Sequence, residues 1–425
     1  MTTRPTAAGR PTGQQLDSLR RSNASAVLSE IRAHGALSRS EIAASVGLSP
    51  AAVTKIVSEL ERAGYLAEGV VAEPVLARAR GRPRQPITLN AHRHRFIGVH
   101  VGLQRVTAGM VDLRSEVVAL RSRKHASTTP AAVLSGSARL VRELIEHTGV
   151  RHQDVMGYSA CAGGWVSPAD GSIRAFEGLG WRDVPFADAL RVNGLPWPEV
   201  ESTVRALALA EARLAAREGV RNVLYVFVGN VIGCANVVDG RIAAGHHHAA
   251  GLIDHIGFGV RAPVPCTCGR YDCLWAVASD AAVTRAAQER GLLGPDATVE
   301  DLVALSVASG RDGRAARTML AQRATRVGNT VAALIDVHDP ELVIIGGGDV
   351  ASSTEHFEQL QAAAQARGVA GRAPIPIHRA MLVGPTGLVR GAATPALDAF
   401  YADPLGRTST ARRQLVDTRV TQLPQ

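Results

Sequence analysis

Two helix starts separated by one glycine constrain this 425-residue chain more than any other feature. Ser38-Arg39-Ser40-Glu41 reads as a capping box, in which Ser38 and Glu41 each satisfy a backbone N–H left free at a helix start. The helix it opens carries Ile42, Ala43 and Val46 and stops at Gly47. Ser49-Pro50 then supplies a second N-cap with proline at the first helical position. That third helix, about Pro50 to Ala63, places Val53, Ile56, Val57 and Leu60 on one face, and Gly64 closes it. Before them, Val27, Leu28 and Ile31 recur at helical spacing up to Gly35, following a tail that reaches about Arg20. A helix, a tight turn at Gly47-Leu48-Ser49 and a second helix have the spacing of a helix-turn-helix. In such a unit the second helix lies in the major groove with its N-terminal residues against base edges. Here those residues are Ser49, Ala51, Ala52, Thr54 and Lys55, small enough for close approach or able to hydrogen-bond.

Charge distribution agrees with this reading. Residues 1–95 hold fourteen Arg and Lys against seven Asp and Glu, whereas the other 330 residues hold 33 against 31. A basic head on a near-neutral body suggests a polyanion-binding module joined to something else. Tyr65-Leu66-Ala67-Glu68 and Pro86-Ile87-Thr88-Leu89 bracket Arg78-Ala79-Arg80-Gly81-Arg82-Pro83-Arg84. Two short strands around such a tip make a wing, and Arg80, Arg82 and Arg84 are placed to enter a narrow minor groove. The same basic segment also reads as a linker between domains.

From Phe96 the pattern changes to alternating strands and helices. Strands are expected at Phe96–Gly102, Val106–Asp112, Val117–Arg121, Val223–Val228, Ala235–Val238 and Leu342–Ile345. Helices are expected at Ala131–Glu146 and Val204–Arg217. This predicts a two-lobed α/β body with a cleft. No apolar run approaches the roughly 18–20 residues that span a bilayer. The first ten residues are not followed by the apolar stretch of a secretory signal. Three of the five cysteines lie between Cys266 and Cys273, which fits metal ligation in a reducing cytosol better than a disulfide framework. With His255, the thiolates of Cys266, Cys268 and Cys273 complete a tetrahedral zinc shell. A closed shell leaves no position for water, so the expected role is structural. His246-His247-His248 reads as polar loop, because consecutive histidines do not easily share one tetrahedral centre.

Through these residues the chain resembles a regulator of the ROK family (repressors, open reading frames and sugar kinases). The resemblance rests on the ligand set His255, Cys266, Cys268 and Cys273. It is supported by Gly157 to Gly171, Gly178-Leu179-Gly180-Trp181, Val200 to Glu211, Gly229 to Gly245, and Asp339-Pro340 through Gly348. It implies an actin/ribonuclease-H-like body, a dimer or tetramer, and a sugar or sugar-phosphate effector. The implied organisation is a tail over 1–20, a winged helix-turn-helix over 21–90, a kinase-like body over 91–405 and a C-terminal tail over 406–425.

Set against the family's kinases, the chain lacks their chemistry. Their acidic residue, Gly and Thr on the first phosphate loop match His100, Gly102 and Gln104, and the exchange at His100 removes a carboxylate ligand for Mg²⁺. The second loop reads Gly229-Asn230-Val231-Ile232-Gly233, with a branched side chain where glycine lets backbone approach phosphate. The catalytic Asp of a Glu-Asn-Asp run matches Thr203 in Glu201-Ser202-Thr203, and threonine is no general base near neutral pH. The family's sugar ligands map to Ser202, Thr203, Leu252, His255 and Trp275, of which only His255 retains the family residue. Two readings of that pocket stand together. In one, Ser202, Thr203, His255 and Trp275 take a more apolar effector; in the other, the pocket is filled and the body serves folding and dimerisation. The expectation is a cytoplasmic, zinc-containing, dimeric transcriptional regulator, a repressor rather than an activator, acting on double-stranded DNA without enzymatic activity. Its rivals are a sugar kinase carrying a DNA-binding appendage and a constitutive DNA-binding protein with no ligand.

Overall fold

The structure, a computed structural model, describes residues 13–69, 86–257, 261–262, 265–348, 353–367 and 373–406. Helices α1 (Gly13–His34), α2 (Arg39–Val46) and α3 (Pro50–Arg62) form the head. Both elements of the expected capping box are present: Glu41 N–H donates to Ser38 Oγ, and Ser38 N–H donates to Glu41 Oε2. Gly47 takes φ 68° to end α2, a conformation glycine adopts without a Cβ clash, and Ser49 Oγ caps α3. Strand β1 (Leu66–Glu68) pairs antiparallel with β2 (Ile87–Leu89), the base of the expected wing. The basic residues Arg80, Arg82 and Arg84 lie outside the described residues.

One expectation is corrected. Residues 13–20 belong to α1 and not to an N-terminal tail. The added turns are held by polar contacts that leave no apolar periodicity to read: Arg20 pairs with Glu59 on α3, and Arg21 with Asp403 at the far end of the chain.

The body has two lobes. In the first, strands β3 (Arg95–Val101), β4 (Arg105–Val111), β5 (Val117–Lys124), β6 (Val155–Ala162) and β10 (Glu199–Ser202) form one sheet in the order β10-β6-β3-β4-β5. Helix α4 (Pro130–Thr148) packs on it, and a small meander of β7 (Trp165–Ser167), β8 (Ser172–Phe176) and β9 (Trp181–Val184) rises beside it, followed by the single turn α5 (Phe186–Ala189). Helix α6 (Thr203–Ala215) leads into the second lobe. There β11 (Val223–Val228), β12 (Ile232–Val238), β13 (Arg241–Ile242), β14 (Leu342–Gly346) and β15 (Ile377–Arg379) pair in the order β13-β12-β11-β14-β15. Helices α7 (Leu274–Ala278), α8 (Asp280–Glu289), α9 (Val299–Ser306), α10 (Arg311–His338) and α11 (Thr354–Gln365) belong to this lobe. Two mixed five-stranded sheets with a helix crossing between them give the two-lobed α/β body read from the sequence.

The last helix, α12 (Gly384–Ala402), returns to the first lobe and lies directly on β3 and β4. Gly98 and Gly109, paired across those strands, make that approach possible. A Cβ on Gly98 would stand 2.6 Å from backbone atoms of Val389 and Ala393, and one on Gly109 would strike the Val389 side chain. From that seat α12 contributes Val389, Ala393, Leu397, Phe400 and Tyr401 to a core that also holds Val27, Leu28, Ile56, Leu60 and Tyr65 of the head. Head and body therefore share one continuous apolar core.

Candidate functional site

The helix-turn-helix presents a face suited to duplex DNA. Burial of Val53, Ile56, Val57 and Leu60 turns Ser49, Ala51, Thr54 and Lys55 outward, with Ala52 half-buried beside them. Ser49 Oγ accepts from the Ala52 N–H at 3.2 Å, and the Thr54 hydroxyl donates to the Pro50 carbonyl at 2.8 Å, leaving its lone pairs outward. The exposed rim thus consists of short side chains, one amine and the N-terminus of a 13-residue helix, whose free N–H groups favour anions.

The second site is the thiol cluster. One ligand atom each from His255, Cys266, Cys268 and Cys273 lies within 4.8 Å of all the others. Cys266 Sγ is 3.4 Å from His255 Nδ1, and Cys268 Sγ is 3.4 Å from Cys273 Sγ. A knuckle shapes the cluster: Gly269 N–H donates to the Cys266 carbonyl, and Cys266 N–H donates to the Arg270 carbonyl, with Gly269 at φ +85°. Burial opposes ionisation of Cys268, yet hydrogen bonds from the Arg270 backbone and from the neighbouring thiols and guanidinium bring its thiol down to about 6. Arg270 donates to the His255 carbonyl and lies 3.4 Å from Cys273 Sγ, and Asp254 lies 3.7 Å from His255 Nε2. A carboxylate on the far ring nitrogen of a ligating histidine is the usual orienting partner. Three sulfurs and one imidazole at this spacing suit a four-coordinate Zn²⁺ and leave no protein-side vacancy for a substrate.

The cleft between the lobes is the third site. Ser202 Oγ caps α6 by accepting from the Arg205 N–H, and both Ser202 and Thr203 are buried. Ser202 is therefore engaged as a helix cap through one lone pair of its hydroxyl. Trp275 donates its indole N–H to the Asn230 carbonyl at 3.1 Å, so this ring braces the second phosphate loop. Its backbone N–H donates to the Asp254 carbonyl, which makes it a neighbour of His255. Leu252 is exposed. Val231, in the same loop, packs against the core of the opposite lobe, where a Cβ on Gly163 would stand 3.1 Å from it. His100 is half-buried on β3, and burial together with nearby His125 pushes its imidazole down to about 4, leaving it neutral near pH 7.

Sequence reasoning missed the residues that tie this cleft shut. Arg205, 3% exposed, donates to Glu201 Oε1 at 2.6 Å, to the His248 carbonyl at 2.6 Å and to the Val166 carbonyl at 2.7 Å. Trp165 on β7 donates to the His247 carbonyl at 2.8 Å. The run His246-His247-His248 thus works through its backbone, as an anchor point for the first lobe. An arginine one turn into an alanine-rich helix gave a faint signal, since a charge on an otherwise apolar face needs buried partners.

The profile of the ROK family matches residues 96–394, and that of winged helix-turn-helix DNA-binding domains matches residues 21–67. A transcriptional regulator of Mycobacterium tuberculosis is 30% identical over 420 residues, covering 93% of this chain and 90% of that protein. The N-acetylglucosamine repressor of Escherichia coli O157:H7 is 25% identical over 339 residues, covering 78% and 82%. Among solved structures, a ROK hexokinase from Thermus thermophilus superposes with a TM-score of 0.57 at 26% identity, covering 71% of this chain and 97% of that one. A ROK family transcriptional regulator described as a homologue of the Escherichia coli Mlc protein superposes with a TM-score of 0.73 at 23% identity, covering 90% and 97%. This last likeness extends over the head as well as the body.

Proposed function

Because the chain belongs to the ROK family, we propose that it is a DNA-binding transcriptional regulator, a repressor in its basal state, whose kinase-like body has given up phosphoryl transfer. The observation that carries the reading is the exposed N-terminal rim of α3 on a head whose charge is strongly positive. Two protomers of a homodimer would place their α3 helices in successive major grooves of a palindromic operator, with Arg80, Arg82 and Arg84 at the flanking minor grooves. Relatives named transcriptional regulator and N-acetylglucosamine repressor support the assignment.

Against catalysis stand Thr203 in place of a carboxylate base, His100 in place of a metal-binding acid, and Val231 across the phosphate loop. A Zn²⁺ at His255, Cys266, Cys268 and Cys273 would stiffen the segment that runs from the His246–His248 loop to α7; Arg270 and Asp254 would orient its ligands. Thiolate ligation fits a cytosolic location, and no helix among the described residues is long and apolar enough to cross a membrane. Effector recognition in the cleft would draw on Ser202, Thr203, His255 and Trp275, with the exposed Leu252 nearby in sequence.

Binding of the full chain to duplex DNA, measured across a salt series, tests the proposal. A steep linear fall of log K with log salt is expected from several phosphate contacts. Indifference to duplexes at low ionic strength would overturn the regulator reading. Hexose-dependent turnover of ATP would instead restore the kinase that the ROK hexokinase likeness keeps in view.

A further inference from the structure

Where the head meets the body the chain forms a solvent-open cavity of about 540 Å³ whose walls come from α1, α6, α12 and the turn between β4 and β5. Five arginines line it, namely Arg32, Arg114, Arg213, Arg217 and Arg390, against two carboxylates, Glu30 and Asp398. The carboxylates are already engaged. Asp398 accepts from both Arg32 at 3.1 Å and Arg213 at 3.0 Å, and Glu30 accepts from Ser45 and pairs with His34. Two guanidiniums on one carboxylate leave a net positive charge.

The other arginines are still less compensated. Arg390 has Glu116 at 3.7 Å, but that carboxylate is mostly in solvent, and Arg390 Nε is sealed from water without a hydrogen-bond acceptor. Arg217 has no hydrogen bond or ion pair among the described residues. Arg114 uses one nitrogen on Thr88 Oγ1 and the Leu89 carbonyl of β2. A buried donor without an acceptor costs free energy until something fills the place. The filling group best carries several oxygen acceptors and more than one negative charge, because arginines from different elements line the same cavity. The rest of the wall is Tyr401, Leu214, Leu382 and small side chains, which suits a short carbon frame. The volume falls within the range of small-ligand sites.

We propose that this junction is a second ligand site, distinct from the interlobe cleft, that binds a small organic phosphate and fixes the angle between head and body. Arg32 belongs to the head, whereas Arg213, Arg217 and Arg390 belong to the body. A phosphate bridging them is bound best at one relative placement of the two parts, so it biases that placement. The regulatory consequence rests on the DNA-binding reading; the binding itself does not. By linkage, whatever factor the ligand imposes on duplex affinity, the duplex imposes on the ligand.

The test is calorimetric titration of the full-length protein with inorganic pyrophosphate and with glycerol 3-phosphate, with potassium chloride at matched ionic strength and citrate as the carboxylate comparison. Saturable binding of the phosphates is expected, and Arg217→Glu should weaken it by about tenfold or more without altering the fold, because Arg217 is exposed. Arg390→Gln should weaken it as well. No binding beyond the chloride control, affinity in both variants equal to that of the wild type, or tighter binding of citrate than of either phosphate would each overturn the proposal. If pyrophosphate binds as expected but the protein ignores duplex DNA, the ligand site stands and the regulator reading fails. If duplex binds and pyrophosphate does not, the reverse holds.

Discussion

Tyr65 and Phe400 meet edge to face with ring centroids 4.9 Å apart, joining the end of the head to the last helix of the body. Phe400 in turn lies 5.3 Å from Phe96, the first apolar residue of the body's central strand. A ring from the chain's end thus sits between the two parts that the basic segment separates in sequence. Around it Ser25 donates to the Tyr401 carbonyl and Tyr401 donates to the Leu113 carbonyl. Such packing transmits displacement, because close-packed interiors have few voids to absorb it.

Replacing Phe400 with Ala should cost about 3–5 kcal/mol, the usual range for deleting a buried ring. Calorimetry of the wild-type protein should show the head melting together with the first lobe. In the variant a separate, earlier head transition is expected; a single unshifted endotherm would mean that Phe400 is not what couples them.

Lys55→Ala should weaken duplex binding about equally for different sequences and reduce the salt slope by about 1, as expected for one lost phosphate contact. Fluorescence anisotropy at several salt concentrations reads both quantities. A slope identical to that of the wild type would place Lys55 away from the nucleic acid.

Cys268 is the exposed member of the thiol cluster, so its loss should act through the metal and not through packing. In Cys268→Ser, zinc content by elemental analysis should fall well below one per chain and the melting temperature should drop. Addition of a strong chelator to the wild type should produce the same drop. Full zinc retention by the variant would rule out the four-ligand site.

Arg205→Ala removes the guanidinium that Glu201, His248 and Val166 share. Breaking such a buried pair leaves the Glu201 carboxylate with only the Ser202 N–H and takes the shared donor from two carbonyls, at a cost of about 3–5 kcal/mol. Arg205→Lys should recover only part of this, since an ammonium lacks the fork that reaches both carbonyls. Equal stability of all three proteins would show that the lobes do not depend on this tie.

His100 introduces a pH dependence of known sign. Its folded-state imidazole is held at about 4, below the ordinary value of 6.5, chiefly by burial. The unfolded chain therefore binds more protons in that interval, and stability is retained above about 6.5 and declines as pH falls toward 4. The group should account for about 1–2 kcal/mol of that decline. Chemical denaturation at pH 7 and pH 4.5 should show a smaller difference for His100→Asn than for the wild type.

The helix-turn-helix was legible because its signals are local. Capping at Ser38 and Ser49, the left-handed turn at Gly47 and the spacing of Val53, Ile56, Val57 and Leu60 each operate within a few residues. The His/Cys cluster was legible for a related reason, since its three cysteines fall within eight residues and the chemistry of thiolates narrows the choice. Apolar strands such as Val223–Val228 and Leu342–Ile345 declared themselves by composition. The extension of α1 over residues 13–20 was not legible, because Arg20 and Arg21 find their partners at Glu59 and Asp403.

What the chain's order of residues determined by itself was therefore the helix-turn-helix, several of the body's strands and helices, the basic head and the absence of the kinase carboxylates at Thr203 and His100. Tertiary structure alone decided that head and body share a core at Phe400, that Arg205 and Trp165 bind the lobes across the cleft, and that five arginines line the cavity where α1 meets α6 and α12. The physical reason is distance along the chain. Arg32 and Asp398 are separated by 366 residues, and no periodicity or cap spans such an interval; only the seating of α12 over Gly98 and Gly109 brings them within 3.1 Å.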